Sequence, residues 1–307
     1  MENNIREKTE TLKKWIDESE SFVFFGGAGV STESGIPDFR SADGLYNEPA
    51  ANAVPPEKII SHTYFKMHPK EFFDFYRSKM IYRDAKPSVT HETLARLEKE
   101  GKCRAVITQN IDGLHQMAGS KNVLELHGSI YRNYCIKCGR PYDLDDIFPD
   151  EDDFSGKITS AYGASPDRDS CKEQEGKNKN PGEGMLKNEG AEATENVTDA
   201  LSGKSVSFGS GKFEGVPVCS CGGVIKPDVV LYEESLDQSV LRESVSLIAN
   251  TPMLIIGGTS LNVYPAAGLL QYFKGSHLVL INKESTPFDA NADLLIQGAL
   301  GEVFSKI

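Results

Sequence analysis

The chain has 307 residues, enough for one large domain or a large domain with a smaller one attached. Hydrophobic residues make up 39% and charged residues 25%, a globular composition, and no run of about 18 apolar residues is present to span a membrane. The net charge of −12 argues against non-specific binding of nucleic acid or anionic membrane; it is compatible with a basic, lysine-bearing partner and equally with plain solubility.

The opening residues, Met1 to Glu7, lack the basic-then-apolar order of a secretion signal. Residues 3–20 place Ile5, Leu12, Trp15 and Ile16 at helical spacing. The apolar run Phe22-Val23-Phe24-Phe25 ends in glycines and reads as a buried parallel strand. The same pattern recurs. A helical stretch at 88–101 precedes the strand 105–108, and one at 237–250 precedes the strand 253–256. Strands at 278–281 and 294–296 follow, with a last short helix behind them. Strands alternating with helices give an α/β class: an open parallel sheet with helices on both faces. Ligands bind such sheets at the strands' carboxyl ends. Gly26, Gln109, Thr259 and Asn282 each open a segment at such an end.

Residues 150–215 differ. They hold 14 acidic and 8 basic residues, ten glycines and eight serines, with almost no aliphatic periodicity. That composition cannot offset the entropy of ordering, and the segment reads as a disordered insertion.

Five segments carry chemistry. Gly26, Gly27 and Gly29 let a backbone approach a pyrophosphate with amides free to donate, and Phe39 and Arg40 add a ring cover and a cation. Alone, this is equally a glycine turn with an exposed arginine. Gln109-Asn110-Ile111-Asp112 after a strand suits ribose hydroxyls and a carboxamide, with Asp112 otherwise a helix cap. His127, before Gly128, is a candidate general base, and His115 is its best rival. Cys135-x-x-Cys138 and Cys219-x-Cys221 form a four-thiolate set suited to one closed, structural zinc. Close cysteine pairs behind no secretion signal point to metal rather than disulfides, and to the cytoplasm. Finally, Gly257-Gly258-Thr259-Ser260 and Asn282 suit phosphate or ribose, and can equally be plain turns.

Taken in order, these segments resemble the sirtuin family of NAD-dependent protein deacylases. The likeness rests on Gly27 to Ser31, Gly35 to Arg40, Gln109 to Asp112, His127-Gly128, the cysteine quartet, Lys226 to Val230 and Gly258 to Leu261. It implies a Rossmann-like NAD-binding domain over 1–128 and 226–307. A zinc-binding module over 129–149 and 216–225 would carry the insertion. Gly27, Ala28, Gly29, Thr32, Arg40, Thr259, Ser260, Asn282 and Leu300 would contact NAD. Phe39, Ile111 and Asp112 would form the nicotinamide pocket, Gln109 would touch ribose and Asn110 would order it. The acyl oxygen of the substrate would attack C1′ of the ribose, and His127 would then remove a proton through the ribose hydroxyls. An acylated-lysine peptide would add as a strand between Val229-Val230-Leu231 and Leu261-Asn262-Val263. No nucleic-acid or membrane partner is implied, and a monomer is expected.

The chain departs from the family at five places, two of them being Asn262 in place of a frequent apolar residue and the unusual length of the insertion. Gly26 replaces a frequent Thr, and Leu231-Tyr232-Glu233-Glu234 replaces the commoner Phe-Phe-Gly-Glu. Tyr76-Arg77-Ser78-Lys79 carries Lys where members that prefer acidic acyl groups carry Arg, so a planar carboxylate fork is lost and neutral acyl groups are favoured. Mono-ADP-ribosyl transfer and a non-catalytic NAD-sensing scaffold are the alternatives.

Overall fold

The computed structural model describes residues 2–38, 54–149 and 215–307. The expectations for Phe39, Arg40 and the insertion, except Gly215, lie outside the described residues. The strands are β1 (Phe22–Gly26), β2 (Cys103–Thr108), β3 (Val123–Glu125), β4 (Gly128–Cys135), β5 (Pro141–Asp143), β6 (Ile225–Val229), β7 (Met253–Gly257), β8 (His277–Asn282) and β9 (Leu294–Gln297). The helices are α1 (Glu2–Glu18), α2 (Pro56–Ile59), α3 (His62–Met67), α4 (Pro69–Lys79), α5 (Val89–Lys99), α6 (Leu114–Ala118), α7 (Leu144–Ile147), α8 (Gln238–Ala249) and α9 (Leu300–Phe304). None of the described helices is long and apolar enough to cross a membrane.

Six strands form a parallel sheet in the order β3-β2-β1-β7-β8-β9. The expected strands and their flanking helices are all present. Successive residues of β1 serve opposite faces, as strand pleating requires. Phe22 and Phe24 pack with Leu12 and Ile16 of α1, Leu94 of α5 and Phe304 of α9. Val23 and Phe25 pack with Ile248 of α8 and Ala267. Burial on both faces is why this strand is uniformly apolar. The chain moves outward to β2 and β3 on one side of β1 and to β7, β8 and β9 on the other. The strand order therefore reverses between β1 and β7, and a crevice opens there at their carboxyl ends.

A second, antiparallel sheet has the order β5-β4-β6. Arg132 on β4 ties it to the large sheet: its guanidinium donates to Glu125 at the end of β3 at 2.6 Å and to Asp228 on β6 at 2.9 Å. Gly128 starts β4 opposite Val229 with φ +75°, and a Cβ there would sit 1.7 Å from the Asp228 carbonyl oxygen. Only glycine fits this junction.

His91 caps α5. The Ser88 backbone N–H donates to His91 Nδ1 at 3.1 Å, so the imidazole takes the place glutamate or glutamine holds in a capping box. His115, the rival candidate base, is fully buried with its ring 4.5 Å from that of His91. It does not border the cavity described below, and its role is structural. Burial lowers His91 to about 4 and lowers His115 well below its ordinary value. The unfolded imidazoles protonate near pH 6.5, so the native state is fully favoured above that pH and loses stability as the pH falls toward 4. His91 alone accounts for about 3 kcal/mol over that window. Denaturant unfolding at pH 7 and pH 5 should show a larger loss for the wild type than for His91→Gln, which keeps a capping side chain. Equal losses would contradict this.

Candidate active site

The strand-end loops surround one cavity of about 740 Å³, within the range of small-molecule sites. Gly27, Ala28, Gly29 and Thr32 enter it from the turn after β1. Gln109, Asn110, Ile111, Asp112 and His127 enter from the segments after β2 and β3. Thr259 and Ser260 follow β7, Asn282 ends β8 and Leu300 begins α9. Every described residue expected near NAD thus borders a single space.

The glycines act differently from the sequence expectation. The Gly27 amide donates to Gly257 O at 3.2 Å, and the Gly29 amide donates to Gly258 O at 2.8 Å. These two donors are committed to the β7 turn rather than free for a phosphate. A Cβ at Gly27 would lie 2.7 Å from Thr259 Cβ, and one at Gly29 would lie 2.7 Å from Gly258 Cα. The glycines let two strand-end turns close on each other. Their contribution to the cavity is its shape.

A polar chain crosses the floor. Asn110 Nδ2 donates to Ser31 Oγ at 3.0 Å, and Ser31 Oγ donates to Asp112 at 2.6 Å. The other Asp112 oxygen accepts from Leu114 N–H at 2.9 Å, the first amide of α6, whose N-cap is Gly113. Burial raises its carboxyl, and the Ser31 and Leu114 bonds oppose that. Ser31 was missed by sequence reasoning: it is one small hydroxyl in a turn, and only the fold shows it joining residues 79 and 81 positions away. Gln109 Nε2 donates to Thr259 Oγ1 at 3.0 Å, which locks the β2 loop to the β7 turn. Asn282 is held in its own turn by a bond to Glu284 O at 3.0 Å.

His127 is bonded through Nδ1 to the Gln109 backbone carbonyl at 2.8 Å. A carbonyl only accepts, so Nδ1 carries the hydrogen and Nε2 keeps a lone pair. Burial lowers the imidazole below its ordinary value, and the Gln109 bond partly opposes this. At neutral pH the ring is a neutral base with a defined tautomer.

Val229, Val230, Leu231 and Val263 also border the cavity. Leu261 does not: its side chain is 2% exposed and belongs to the core under the sheet. Main-chain pairing with a peptide would not need that side chain. Tyr76 likewise turns inward, fully buried against Phe72, Phe73 and Phe148, while Lys79 reaches the cavity.

The four cysteines meet at one point, with all four sulfurs within 4.8 Å of one another. Cys135 and Cys221 sulfurs are 3.4 Å apart, and Cys138 and Cys219 sulfurs are 3.7 Å apart. A disulfide needs about 2.05 Å. Zinc–sulfur bonds of about 2.3 Å place tetrahedral sulfurs about 3.8 Å apart, so the quartet can hold one zinc. Backbone amides of Lys137 and Cys221 point at Cys135 and Cys219 sulfurs at 3.4 and 3.5 Å, which suits thiolates. Gly139 and Gly222, at φ +72° and +78°, make the two knuckles. Cys103 is a buried thiol at the start of β2, and Cys171 lies outside the described residues.

The model of the Sir2 family matches residues 27–265. The chain belongs to the Sir2 family. It is 45% identical over 302 residues to an NAD-dependent protein deacetylase of Clostridium acetobutylicum, covering 98% of each chain. It is 35% identical to one from Staphylococcus aureus, covering 99% of each. Among Sir2 structures it is similar to one bound to acetylated peptide (TM-score 0.68, 30% identity) and to one described as Sir2-p53 peptide-NAD+ (TM-score 0.67, 31% identity). Each of these alignments covers 97% of this chain and 96% of the other. The sirtuin likeness read from the motifs is thereby shown over nearly the whole chain.

Proposed function

We propose that this chain is an NAD-dependent protein lysine deacylase, transferring an acyl group to ADP-ribose with release of nicotinamide and free lysine. The observation that carries this reading is His127, a neutral base whose Nδ1–H is held by the Gln109 carbonyl in a cavity built at the strand-order reversal. Bound NAD would supply a glycosidic bond whose cleavage makes C1′ reactive toward the acyl oxygen. His127 Nε2 would take a proton from the ribose hydroxyls, so that a ribose oxygen can attack the acyl carbon, and water would then complete the release of free lysine and O-acyl-ADP-ribose. Asn110, oriented by Ser31, and Gln109, oriented by Thr259, position the ribose. Ala28, Thr32, Ser260, Asn282 and Leu300 surround the remaining dinucleotide, with Gly27 and Gly29 shaping the turn. Ile111 and Asp112 line the nicotinamide end, and Phe39 and Arg40 complete the site. Val229 to Leu231 and Leu261 to Val263 present main chain to the peptide.

In the proposed division of labour, residues 1–128 and 226–307 bind NAD and 129–149 with 216–225 bind the structural zinc, with β6 carrying residues 226–229 across into the antiparallel sheet. Its substrates are acylated-lysine proteins or peptides. We place the enzyme in the cytoplasm as a monomer with no nucleic-acid partner, in keeping with its acidity. Neutral acyl groups are favoured, because Tyr76 is withdrawn into the core and Lys79 offers a point charge in place of a planar guanidinium fork. Mass spectrometry of a reaction with acetyl- and succinyl-lysine peptides and NAD tests the reading. O-acyl-ADP-ribose and free lysine should form, with acetyl preferred over succinyl. ADP-ribose left on protein without O-acyl-ADP-ribose would establish mono-ADP-ribosyl transfer instead.

A further inference from the structure

Residues 231–234 border the cavity and form a tight turn, in which Glu234 N–H donates to Leu231 O at 3.0 Å. The third residue of that turn, Glu233, has φ +74°. Glycine adopts this left-handed region freely and glutamate does not. The commoner family sequence has glycine at this position.

The Glu233 carboxylate shows why a glutamate stands there. Its Oε2 accepts from the Thr63 backbone N–H at 2.9 Å and from the Thr63 hydroxyl at 2.6 Å. Thr63 lies in the first turn of α3. Main-chain bonds run beside this contact, from Tyr232 N–H to Ile60 O at 3.1 Å and from His62 N–H to Tyr232 O at 3.0 Å. His62 Nδ1 also meets Glu234 Oε1 at 2.8 Å. Glu234 Oε2 accepts from Leu231 N–H at 2.9 Å and pairs with Lys226 at 3.1 Å, and Lys226 donates to Val229 O at 2.9 Å. The back of segment 229–234 is thus tied at several points. The Glu233–Thr63 bonds lie at its exposed end, where hydrogen bonds add little to stability. Glycine would avoid the backbone cost but would lose both bonds to Thr63, leaving this turn untied from α3 at its exposed end. The glutamate therefore serves position.

We propose that Glu233 and Thr63 form a latch that holds the main-chain edge Val229–Leu231 in place for an acyl-lysine peptide. The latch rests on the deacylase reading and adds two positioning residues to it. It acts on the peptide and not on NAD, because the expected cofactor contacts sit on other loops.

Steady-state kinetics with an acetyl-lysine peptide, joined to direct titration of that peptide by fluorescence anisotropy, test the proposal. Thr63→Val and Glu233→Gly should raise the peptide KM and Kd by roughly five- to tenfold. The NAD KM and kcat should stay within about twofold, a change smaller than one hydrogen bond. Thr63→Ser, which keeps the hydroxyl, should behave as wild type. The melting temperature of Glu233→Gly should not fall, since the left-handed position is relieved. Unchanged peptide affinity in both latch variants, or a Thr63→Ser variant as weak as Thr63→Val, would overturn the latch. An inactive wild type would overturn the deacylase reading alone, because the titration still reads the latch.

Discussion

His127→Ala is expected to lower deacylation by about 10²- to 10⁴-fold, the usual contribution of a positioned general base. The protein should stay folded and keep its affinity for the acyl-lysine peptide, because His127 makes its one described hydrogen bond to a backbone carbonyl. Loss of kcat with little change in peptide binding is the signature of a group that acts on the reacting atoms. The pH profile gives an independent check. Activity requires the unprotonated ring, and burial lowers its pKa below the ordinary 6.5. The wild-type kcat/KM should therefore rise with pH along a limb centred below 6.5 and be flat through neutral pH. Full activity of His127→Ala, or a limb centred above 6.5, would remove His127 from the reaction.

Removal of the metal is expected to have the largest effect on stability. The purified protein should contain one zinc per chain, held by Cys135, Cys138, Cys219 and Cys221. Structural zinc in small sites contributes on the order of 10 kcal/mol of folding free energy, so chelation should melt the antiparallel sheet region. Cys138→Ser and Cys219→Ser should each lower the zinc content and the melting temperature. Four protein ligands would leave no open position, so a zinc held there would be structural rather than catalytic. The two cysteine knuckles also touch: a Cβ on Gly223 would lie 2.6 Å from the Cys135 sulfur. Metal analysis and thermal melts before and after chelation decide the matter. Freshly purified protein without zinc but with an unchanged melting temperature would refute the assignment.

The large sheet was legible because its strands are buried on both faces and therefore continuously apolar between glycines and helical stretches. The expected position of the site at the strands' carboxyl ends followed from that reading, whereas the reversal of strand order between β1 and β7 appeared only in the fold. The zinc quartet was legible because thiolate ligands must come in close pairs. The antiparallel sheet was not: β4 and β6 are separated by residues 136–224, and their pairing turns on Gly128 meeting Asp228. Helices α2 to α4 were not legible, because prolines at the starts of α2 and α4 divide residues 56–79 into pieces too short to show a clear helical period.

By itself the sequence determined the α/β class, the cysteine quartet that can hold zinc, the motif order of the Sir2 family and the candidate base. Those depend on local periodicity and on residue chemistry that no neighbour can change. Tertiary structure alone decided which groups are already engaged. It tied the Gly27 and Gly29 amides to the β7 turn, joined Asn110 to Asp112 through Ser31 and oriented His127 by the Gln109 carbonyl. It also withdrew Tyr76 and Leu261 into the core. Hydrogen bonds and burial between residues far apart in the chain depend on how elements pack, and a linear pattern carries no record of that.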